Sequence, residues 1–248
     1  MPTLTVVIPV YNESENILNT LGQLDGVAPA DTEVLVVHDT PEDTTLTVLN
    51  RFQGVNLKVR PLLNELGPGA IRAIRHGLSS AQGDFVLVVM ADCCDDLGIL
   101  PSMLALGDAG SQVICGSRFM KGGSHSGKPG PKKWLAKLAG LSLYFLAGLP
   151  THDATNSFKL YSRKLLQTVR VESGGGFEVG LELVVKAWIC GFEVCQLPTS
   201  WTDRTAGASR FRLVEWLPYY LRWYLLGMSY GLGLRLLNPI AAAGRRKK

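Results

Sequence analysis

Three carboxylates follow one apolar stretch of the sequence. Residues 85–90 are apolar throughout, and Asp92, Asp95 and Asp96 come within the next six positions. An aspartate at a helix start often caps the exposed amides, and capping could explain Asp96. It does not account for the whole cluster, and carboxylate oxygens are the ligands that hard divalent cations prefer. We therefore treat this cluster as a candidate site of chemistry.

Three arginines and two lysines are candidates for holding an anion. A guanidinium offers paired donors that match phosphate oxygens, which applies to Arg118, Arg204 and Arg210. Lys132 and Lys133 end a segment rich in glycine and proline, where they could meet a phosphate or a membrane surface. The simpler alternative for each residue is a solvated surface charge.

The elements that must position these side chains alternate in type. Short β-branched runs predict strands, and the segments between them show helical spacing. The predicted strands are 5–8, 33–37, 57–59 and 85–90, and the predicted helices are 14–24, 43–52 and 69–81. This alternation predicts an α/β fold with a mostly parallel sheet. Ligands bind beyond the carboxyl ends of the strands in such sheets, so we expect the site at that edge.

The second half of the chain continues this domain and then changes in composition. Strands are predicted at 112–115 and 193–197, and helices at 134–146 and 179–189. From residue 211 aromatic and aliphatic side chains dominate, and residues 245–248 are all basic. This composition predicts an amphipathic helical segment that lies in a membrane interface. The alternatives are a helix packed on the domain, a homo-oligomer interface or a docking site for a membrane protein. We expect a catalytic domain over 1–210 and an appended segment over 211–248.

Composition restricts the location and the partners. The net charge is +4, and much of the basic excess lies in a loop and a tail that lack a recognition-helix pattern, so we expect no nucleic-acid partner. The five cysteines form neither an even disulfide framework nor paired zinc spacing, which favours a reducing cytoplasm. Apolar stretches at 138–151 and 223–234 are shorter than the roughly 20 residues of a spanning helix. We expect peripheral attachment to the cytoplasmic face of a membrane.

Seven motifs, in this order, resemble glycosyltransferase family two. Within it they are similar to the dolichyl- or polyprenyl-phosphate sugar synthases of the dolichol-phosphate mannose synthase type. The motifs are V-V-I-P-V-Y-N-E-S-E-N-I, D-T-P-E-D-T-T, G-P-G-A-I-R-A-I-R-H-G, M-A-D-C-C-D-D, G-S-R-F, H-D-A-T-N-S-F-K and D-R-T-A-G-A-S-R-F. Their order and spacing over residues 4–212 make the resemblance specific.

The resemblance implies a GT-A-type domain that binds a nucleotide sugar, of the GDP-mannose or UDP-glucose type. It places Pro9, Tyr11 and Glu13 beside the nucleotide and Asp39 on the base or ribose. A carboxylate is suited to that role because it accepts hydrogen bonds from an imino N–H or a ribose hydroxyl. For Pro9 and Tyr11 the alternative is a strand-end turn. The resemblance also assigns donor phosphates to Arg118, Arg204 and Arg210, because each follows a family motif.

The resemblance further implies Mg²⁺ or Mn²⁺ on the donor diphosphate. Family members commonly use an Asp-x-Asp pair, whereas the spacing here is shifted. Asp92 is the expected first ligand and Asp95 the second, with Asp96 left open as the alternative. One or two carboxylates suffice for a Mg²⁺ that also binds phosphates and water. Cys93 and Cys94 are expected to be packing or spacer residues, since thiols do not suit a hard ion.

On the acceptor side, the resemblance implies a polyprenyl phosphate and an inverting transfer. Asp153 occupies the acceptor-side position, where it could act as a general base on a sugar hydroxyl or orient groups for a phosphate that is already anionic. Lys132, Lys133 and Ser209 are the expected acceptor contacts. The catalytic residues are expected to be Asp92, Asp153, Arg118 and Arg204.

Two alternatives stay open. The first is non-processive transfer to a saccharide or another hydroxyl acceptor, which would make Asp153 essential as a base. The second is a catalytically impaired, membrane-associated nucleotide-binding module, and the shifted spacing of residues 92–96 is the feature that keeps it open.

Overall fold

The computed structural model describes residues 4–127, 130–203 and 213–234. The strands are β1 (Leu4–Val10), β2 (Thr32–His38), β3 (Leu57–Leu63), β4 (Phe85–Val88), β5 (Val113–Ser117), β6 (Ser124–His125), β7 (Lys159–Ser162), β8 (Val194–Pro198) and β9 (Ser200–Trp201). Seven of them form one sheet in the order β3-β2-β1-β4-β7-β5-β8, while β6 pairs with β9. β7 is antiparallel to both neighbours and the other pairings in the sheet are parallel. The expected α/β class with a mostly parallel sheet is confirmed.

Helices cover both faces of this sheet. They are α1 (Ile17–Asp25), α2 (Leu46–Leu49), α3 (Ala70–Ser80), α4 (Leu100–Asp108), α5 (Pro131–Ser142), α6 (Arg163–Thr168), α7 (Val179–Ile189) and α8 (Leu213–Gly231). A short 3₁₀ helix, Leu97–Ile99, precedes α4, and a π-helical turn, Leu143–Ala147, continues α5. Pro131 at the start of α5 suits that position, because its missing N–H would have no partner within the helix.

Two predicted elements change more than twofold in length in the structure. The predicted helix 43–52 is reduced to Leu46–Leu49. Asp43 explains this, because its carboxylate accepts the backbone N–H of Asn12 and of Thr45 and so stabilises a turn. The predicted strand 57–59 extends to Leu63, since it pairs in register with the whole of β2. The sequence reading did not predict β7.

The core has two apolar clusters, one on each face of the sheet. All seven residues of β1 are buried, as is typical of a central parallel strand. Alternate side chains point to opposite faces, so Val7 belongs to one cluster and Val6 and Ile8 to the other. Helices α3, α7 and α8 complete the first cluster, and α1 and α4 complete the second.

The aromatic helix α8 packs on the domain through one face. Trp223 and Leu226 are buried in the first core cluster, and the Tyr230 ring lies edge-on to Trp188 of α7 with centroids 4.8 Å apart. Its other face is exposed at Val214 and at several leucines and tyrosines. The division of the chain at residue 210 stays a prediction. None of the helices in the described ranges is long and apolar enough to cross a bilayer.

Candidate active site

The predicted site residues that the structure describes gather at one edge of the sheet. β7 runs antiparallel, so its first residue, Lys159, pairs with Val88 at the end of β4 and with Cys115 of β5. The edge therefore joins the segments after β1, β2, β4 and β5 with the segment before β7. It borders a cleft of about 1420 Å³. The predicted residues that line this cleft are Pro9, Tyr11, Glu13, Asp39, Asp92, Asp95, Arg118, Lys132 and Lys133.

The turn after β1 is fastened to the turn after β2. Asn12 has a φ of +57°, a conformation that asparagine tolerates better than most residues. Its backbone N–H donates to the Asp43 carboxylate at 3.1 Å, and its own side-chain oxygen accepts the N–H of Thr44 at 3.1 Å. The backbone N–H of Glu13 donates to the Thr45 hydroxyl at 2.9 Å. These bonds fix the segment that presents the half-exposed ring of Tyr11.

Asp39 connects three loops at the same edge. One carboxylate oxygen accepts the Asn64 side-chain amide at 2.7 Å, and the other accepts the Gly69 backbone N–H at 2.8 Å. Gly69 has a φ of +124°, which a residue with a side chain rarely adopts. Each carboxylate oxygen has a second lone pair. Asp39 is therefore held in place and can still accept a bond from a ligand in the cleft.

The acidic cluster separates into two roles. Asp92 and Asp95 line the cleft. Asp96 instead caps the 3₁₀ helix, accepting the Gly98 N–H at 3.0 Å, and also accepts the Ser200 hydroxyl at 3.2 Å. The pKa of Asp95 is raised to about 7, because burial and the neighbouring Asp92 disfavour its charge, while Arg118 and Lys159 act in the opposite direction. The charge of Asp92 therefore acts directly on the carboxyl group of Asp95.

The two cysteines of the cluster are engaged with the protein. Cys93 has a φ of +56°, and its Sγ lies 3.1 Å from the Thr20 hydroxyl. Cys94 is buried, and its thiol donates to the carbonyl of Asp92 at 3.5 Å. Both thiols therefore have hydrogen-bond partners within the protein. In the described parts of the chain, no group of three or more His, Cys, Asp or Glu residues is arranged to hold a metal ion.

Arg118 and Asp153 form a bidentate ion pair. Nε and Nη2 of Arg118 donate to the two Asp153 oxygens at 2.7 and 3.0 Å, and the Arg118 backbone N–H donates at 3.1 Å. Asp153 is fully buried. Burial acts to raise the pKa of Asp153, but the charge and hydrogen bonds of Arg118 hold it below its ordinary value. Asp153 therefore lies behind the cleft as an anion and fixes the guanidinium that lines it.

A buried lysine holds the backbone of the segment before β7. Lys159 Nζ donates to the carbonyls of Ala154 and Asn156, and burial lowers the pKa of Lys159. The Asn156 side chain donates to the carbonyl of Gly116 at 2.9 Å. Thr155 and Asn156 line the cleft. Sequence reasoning missed this role, although a lysine within the apolar run of β7 was a visible signal.

A second part of the cleft is apolar and lies between α5 and α8. Its lining includes Leu135, Leu138 and Ala139 of α5 and Leu217, Leu221 and Tyr224 of α8. Across this groove the Ser142 and Tyr224 hydroxyls are 3.0 Å apart.

Basic and aromatic groups lie at the start of α5. Lys132 and Lys133 are in its first turn, and Lys133 Nζ donates to the carbonyl of His125 at 2.8 Å. The His125 ring packs on Trp201 with centroids 4.4 Å apart, and both line the cleft. The sequence analysis did not predict that His125 or Trp201 would line the cleft.

Three predicted site residues, Arg204, Ser209 and Arg210, lie outside the described residues, as does the basic tail. Their assignments stay predictions.

Comparison with known proteins identifies the class. Residues 5–170 match the sequence model of Glycosyl transferase family 2. The chain therefore belongs to this family and is a glycosyltransferase.

Two relatives align over most of their length. Polyprenol monophosphomannose synthase of Mycolicibacterium smegmatis is 29% identical over 229 residues, which cover 85% of each chain. An uncharacterized glycosyltransferase of Mycobacterium bovis is 30% identical over 211 residues, covering 84% of this chain and 88% of the relative.

Solved structures show the same fold. Glucosyl-3-phosphoglycerate synthase from Mycobacterium tuberculosis in complex with uridine diphosphate superposes with a TM-score of 0.62 at 18% identity. The match covers 94% of this chain and 81% of that one. The same enzyme with Mn²⁺, UDP-glucose and phosphoglyceric acid also gives a TM-score of 0.62. The expected GT-A-type fold is confirmed.

Proposed function

We propose that this glycosyltransferase moves a sugar, with inversion, from a nucleotide-sugar donor to a polyprenyl or dolichyl phosphate. One observation carries the proposal: a single cleft joins the polar sheet edge, with Asp39, Asp92 and Arg118, to the apolar groove between α5 and α8. A nucleotide diphosphate suits the polar part. A hydrocarbon chain suits the apolar part, because burying each CH₂ contributes about 0.8 kcal/mol.

The donor occupies the polar part. Asp39 accepts bonds from the base or ribose, and Pro9, Tyr11 and Glu13 form the wall beside the nucleotide. The hydrogen bonds that fix the turn at Asn12 and the carboxylate of Asp39 support this assignment, because they hold these cleft-lining segments in one conformation. Arg204 and Arg210 are assigned to donor phosphates by the family motif alone.

The carboxylates at the end of β4 suit a divalent cation shared with the donor. Asp92 and Asp95 offer two oxygen ligands on the cleft, and a hard ion that keeps water and phosphate ligands requires no more from the protein. The capping bonds of Asp96 favour Asp95 as the second ligand. A bound Mg²⁺ or Mn²⁺ would neutralise negative charge on the departing diphosphate.

The guanidinium of Arg118 lines the same cleft as the carboxylates of Asp92 and Asp95. With its guanidinium fixed by Asp153, it holds a phosphate oxygen without reorganising during the reaction. The acceptor phosphate oxygen attacks the anomeric carbon, and the bond from that carbon to the diphosphate breaks on the opposite face. A phosphate monoester is already anionic at neutral pH, so the step needs no general base. Asp153 is then a positioning residue.

The acceptor enters from the membrane side. Lys132 and Lys133 lie where a lipid phosphate would meet the polar part of the cleft, and Ser209 is retained as a further contact. The outer face of α5 and of the π-helical turn exposes large apolar side chains, with Trp134 67%, Phe145 71% and Leu146 61% exposed. An exposed apolar patch of this kind marks an interaction surface. Together with the lysines it suits an anionic membrane surface.

The relatives support a lipid acceptor and leave the sugar open. The Mycolicibacterium smegmatis relative is named for polyprenol and mannose, whereas the structural relatives hold UDP-glucose with Mn²⁺. We therefore keep GDP-mannose and UDP-glucose as the donor candidates.

Release of nucleoside diphosphate tests the proposal. The full-length protein is incubated with GDP- and UDP-sugars, with or without polyprenyl phosphate, in Mn²⁺, Mg²⁺ or EDTA. We expect release that requires one donor, the lipid phosphate and a metal, that is lost in Asp92→Ala and that persists in the exposed control Asp108→Asn. Nucleotide binding without release, with either lipid or saccharide acceptors, would favour the impaired module instead. Release with a saccharide acceptor that is lost in Asp153→Asn would favour the hydroxyl-acceptor alternative.

A further inference from the structure

The apolar groove between α5 and α8 is closed at one end. Among the described residues, the cleft lining stops at Ser142 on α5 and at Tyr224 on α8, where the two hydroxyls are 3.0 Å apart. Beyond this pair the π-helical turn packs against α8, and Leu143 and Ala147 of that turn are buried. The groove therefore ends at the Ser142–Tyr224 pair.

Two glycines of α8 allow this close packing. A Cβ at Gly227 would lie 3.1 Å from Cδ2 of Leu143, and a Cβ at Gly231 would collide with the backbone of Ala147. The two glycines are four residues apart and so share one face of the helix. Because neither has a side chain, the backbone of α8 approaches the turn directly, and no room is left for a ligand beyond Tyr224.

The open part of the groove is short. Its wall on α5 runs from Leu135 to Ser142, and its wall on α8 runs from Leu217 to Tyr224. Each wall advances seven residues along its helix, which corresponds to about 10 Å. An isoprene unit adds four carbons to the main chain of a prenyl group, so a groove of about 10 Å accommodates roughly two units.

The groove is also open along its side. Four of its leucines, all in the cleft lining, are between 42% and 67% exposed; they are Leu135, Leu138, Leu217 and Leu221. A chain longer than the groove can therefore leave it sideways, toward the membrane surface, without displacing either helix.

The other end of the groove opens on the polar part of the cleft. Lys132 and Lys133 precede Leu135 in the first turn of α5, and Arg118 lines the same cleft. A phosphate held by these cations places the first carbons of its prenyl chain at the mouth of the groove. The carbons that follow then run toward the closed end.

We infer that the groove binds about the first two isoprene units of the acceptor, counted from the phosphate, and that the Tyr224 ring forms its end wall. The inference rests on the proposed function, because it takes a prenyl phosphate as the acceptor. Units beyond the wall stay outside the groove and add nothing to recognition. The protein thus sets a minimum length for its acceptor and no maximum.

A series of acceptors of increasing length tests the inference. Dimethylallyl, geranyl, farnesyl and geranylgeranyl phosphates carry one to four units. Each is given to the full-length protein in detergent-free solution with Mn²⁺ and the donor that it accepts. We expect kcat/KM to rise at least about 5-fold from one unit to two, because a whole unit becomes buried. From three units to four it should change by less than about 2-fold, because the added unit stays in solvent.

Two substitutions should move this plateau in opposite directions. Tyr224→Ala removes the end wall and should raise kcat/KM for four units relative to two by at least about 3-fold. Ala139→Leu fills the groove one turn before the wall and should reduce the gain from one unit to two by at least about 3-fold. The control is Leu225→Ala, on the same helix, 45% exposed and outside the cleft lining. It should give the wild-type series.

The outcomes separate this inference from the proposed function. Equal kcat/KM for one and two units, or a further 5-fold rise from three to four, would overturn the inference and leave the proposed function standing. So would an unmoved plateau in whichever of the two variants melts as a folded protein. If no prenyl phosphate of any length accepted a sugar, the proposed function would fail, and the inference with it.

Discussion

Asp153 receives three hydrogen bonds from Arg118, two from its guanidinium and one from its backbone, while being fully buried itself. An anion placed behind the cleft in this way acts through the arginine that it holds. A general base would need to reach the proton of an acceptor, and both Asp153 oxygens face Arg118. This relationship separates a positioning role from a proton-transfer role.

The first prediction concerns that pair. Asp153→Asn should lower the unfolding free energy by about 3–5 kcal/mol, because it leaves the largely buried guanidinium without its anion. It should also lower kcat/KM with lipid phosphate. Chemical denaturation and steady-state rates measure both effects, with Asp108→Asn as the exposed control.

The pH dependence of that variant distinguishes the two roles. The pKa of Asp153 is already depressed, so between pH 5 and 9 it stays ionised and its own titration should not shape the rate. If the wild type lost activity on the acidic side of this range and Asp153→Asn did not, Asp153 would be the base.

The second prediction follows from the raised pKa of Asp95, about 7. A carboxyl whose folded pKa lies above its unfolded value favours the folded state while protonated, and that contribution is lost as pH rises through the folded pKa. Without metal, the margin by which Asp95→Asn melts above the wild type should therefore increase from pH 4 to pH 8, since the loss runs from the unfolded pKa to the folded one. Adding Mn²⁺ at pH 8 should stabilise the wild type more than the variant. Thermal melts at the two pH values check this, and equal differences at both would contradict it.

The third prediction concerns the apolar groove. Leu221→Glu places a charge on its α8 wall and should raise KM for a long-chain polyprenyl phosphate at least 5-fold, since about 1 kcal/mol of apolar contact is lost. KM for the nucleotide sugar should stay unchanged. Val214→Glu is the matched control, because Val214 lies on the same helix and is 85% exposed. Equal effects of the two substitutions would argue against a lipid in the groove.

The fourth prediction concerns the exposed patch on α5 and the π-helical turn. Replacing Trp134 and Phe145 together by serine should reduce flotation of the protein with anionic vesicles, because both rings are largely exposed. Val55→Ser is the control, since Val55 is 90% exposed and precedes β3, at the opposite edge of the sheet. Retained flotation of the double variant would place membrane contact elsewhere.

The sequence predicted the parts of the fold that depend on local patterns. The alternation of β-branched runs with helical spacing gave the α/β class, and the carboxylates after β4 were found because they follow an apolar strand. The antiparallel β7 was missed. This strand has four residues and begins with Lys159, a residue that a buried strand rarely carries. The lysine is accommodated because its ammonium group donates to the carbonyls of Ala154 and Asn156.

Side-chain roles within motifs were less predictable. Asp95 and Asp96 are equivalent in sequence, and the difference arises because the 3₁₀ helix begins after Asp96 and takes its carboxylate as a cap. Asp153 has the residue type of a base, and its burial depends on Arg118, which is 35 positions away. The groove between α5 and α8 joins segments that are far apart in sequence, so no local pattern could predict it.

Identification of the product tests the central claim most directly. The full-length protein is incubated with polyprenyl phosphate, Mn²⁺ and the donor that it accepts, and the lipid extract is analysed by mass spectrometry. We predict a lipid with the mass of the polyprenyl phosphate plus one sugar residue, absent in EDTA and in Asp92→Ala. Hydrolysis of the donor to free sugar with no modified lipid, or transfer only to a saccharide, would contradict the account.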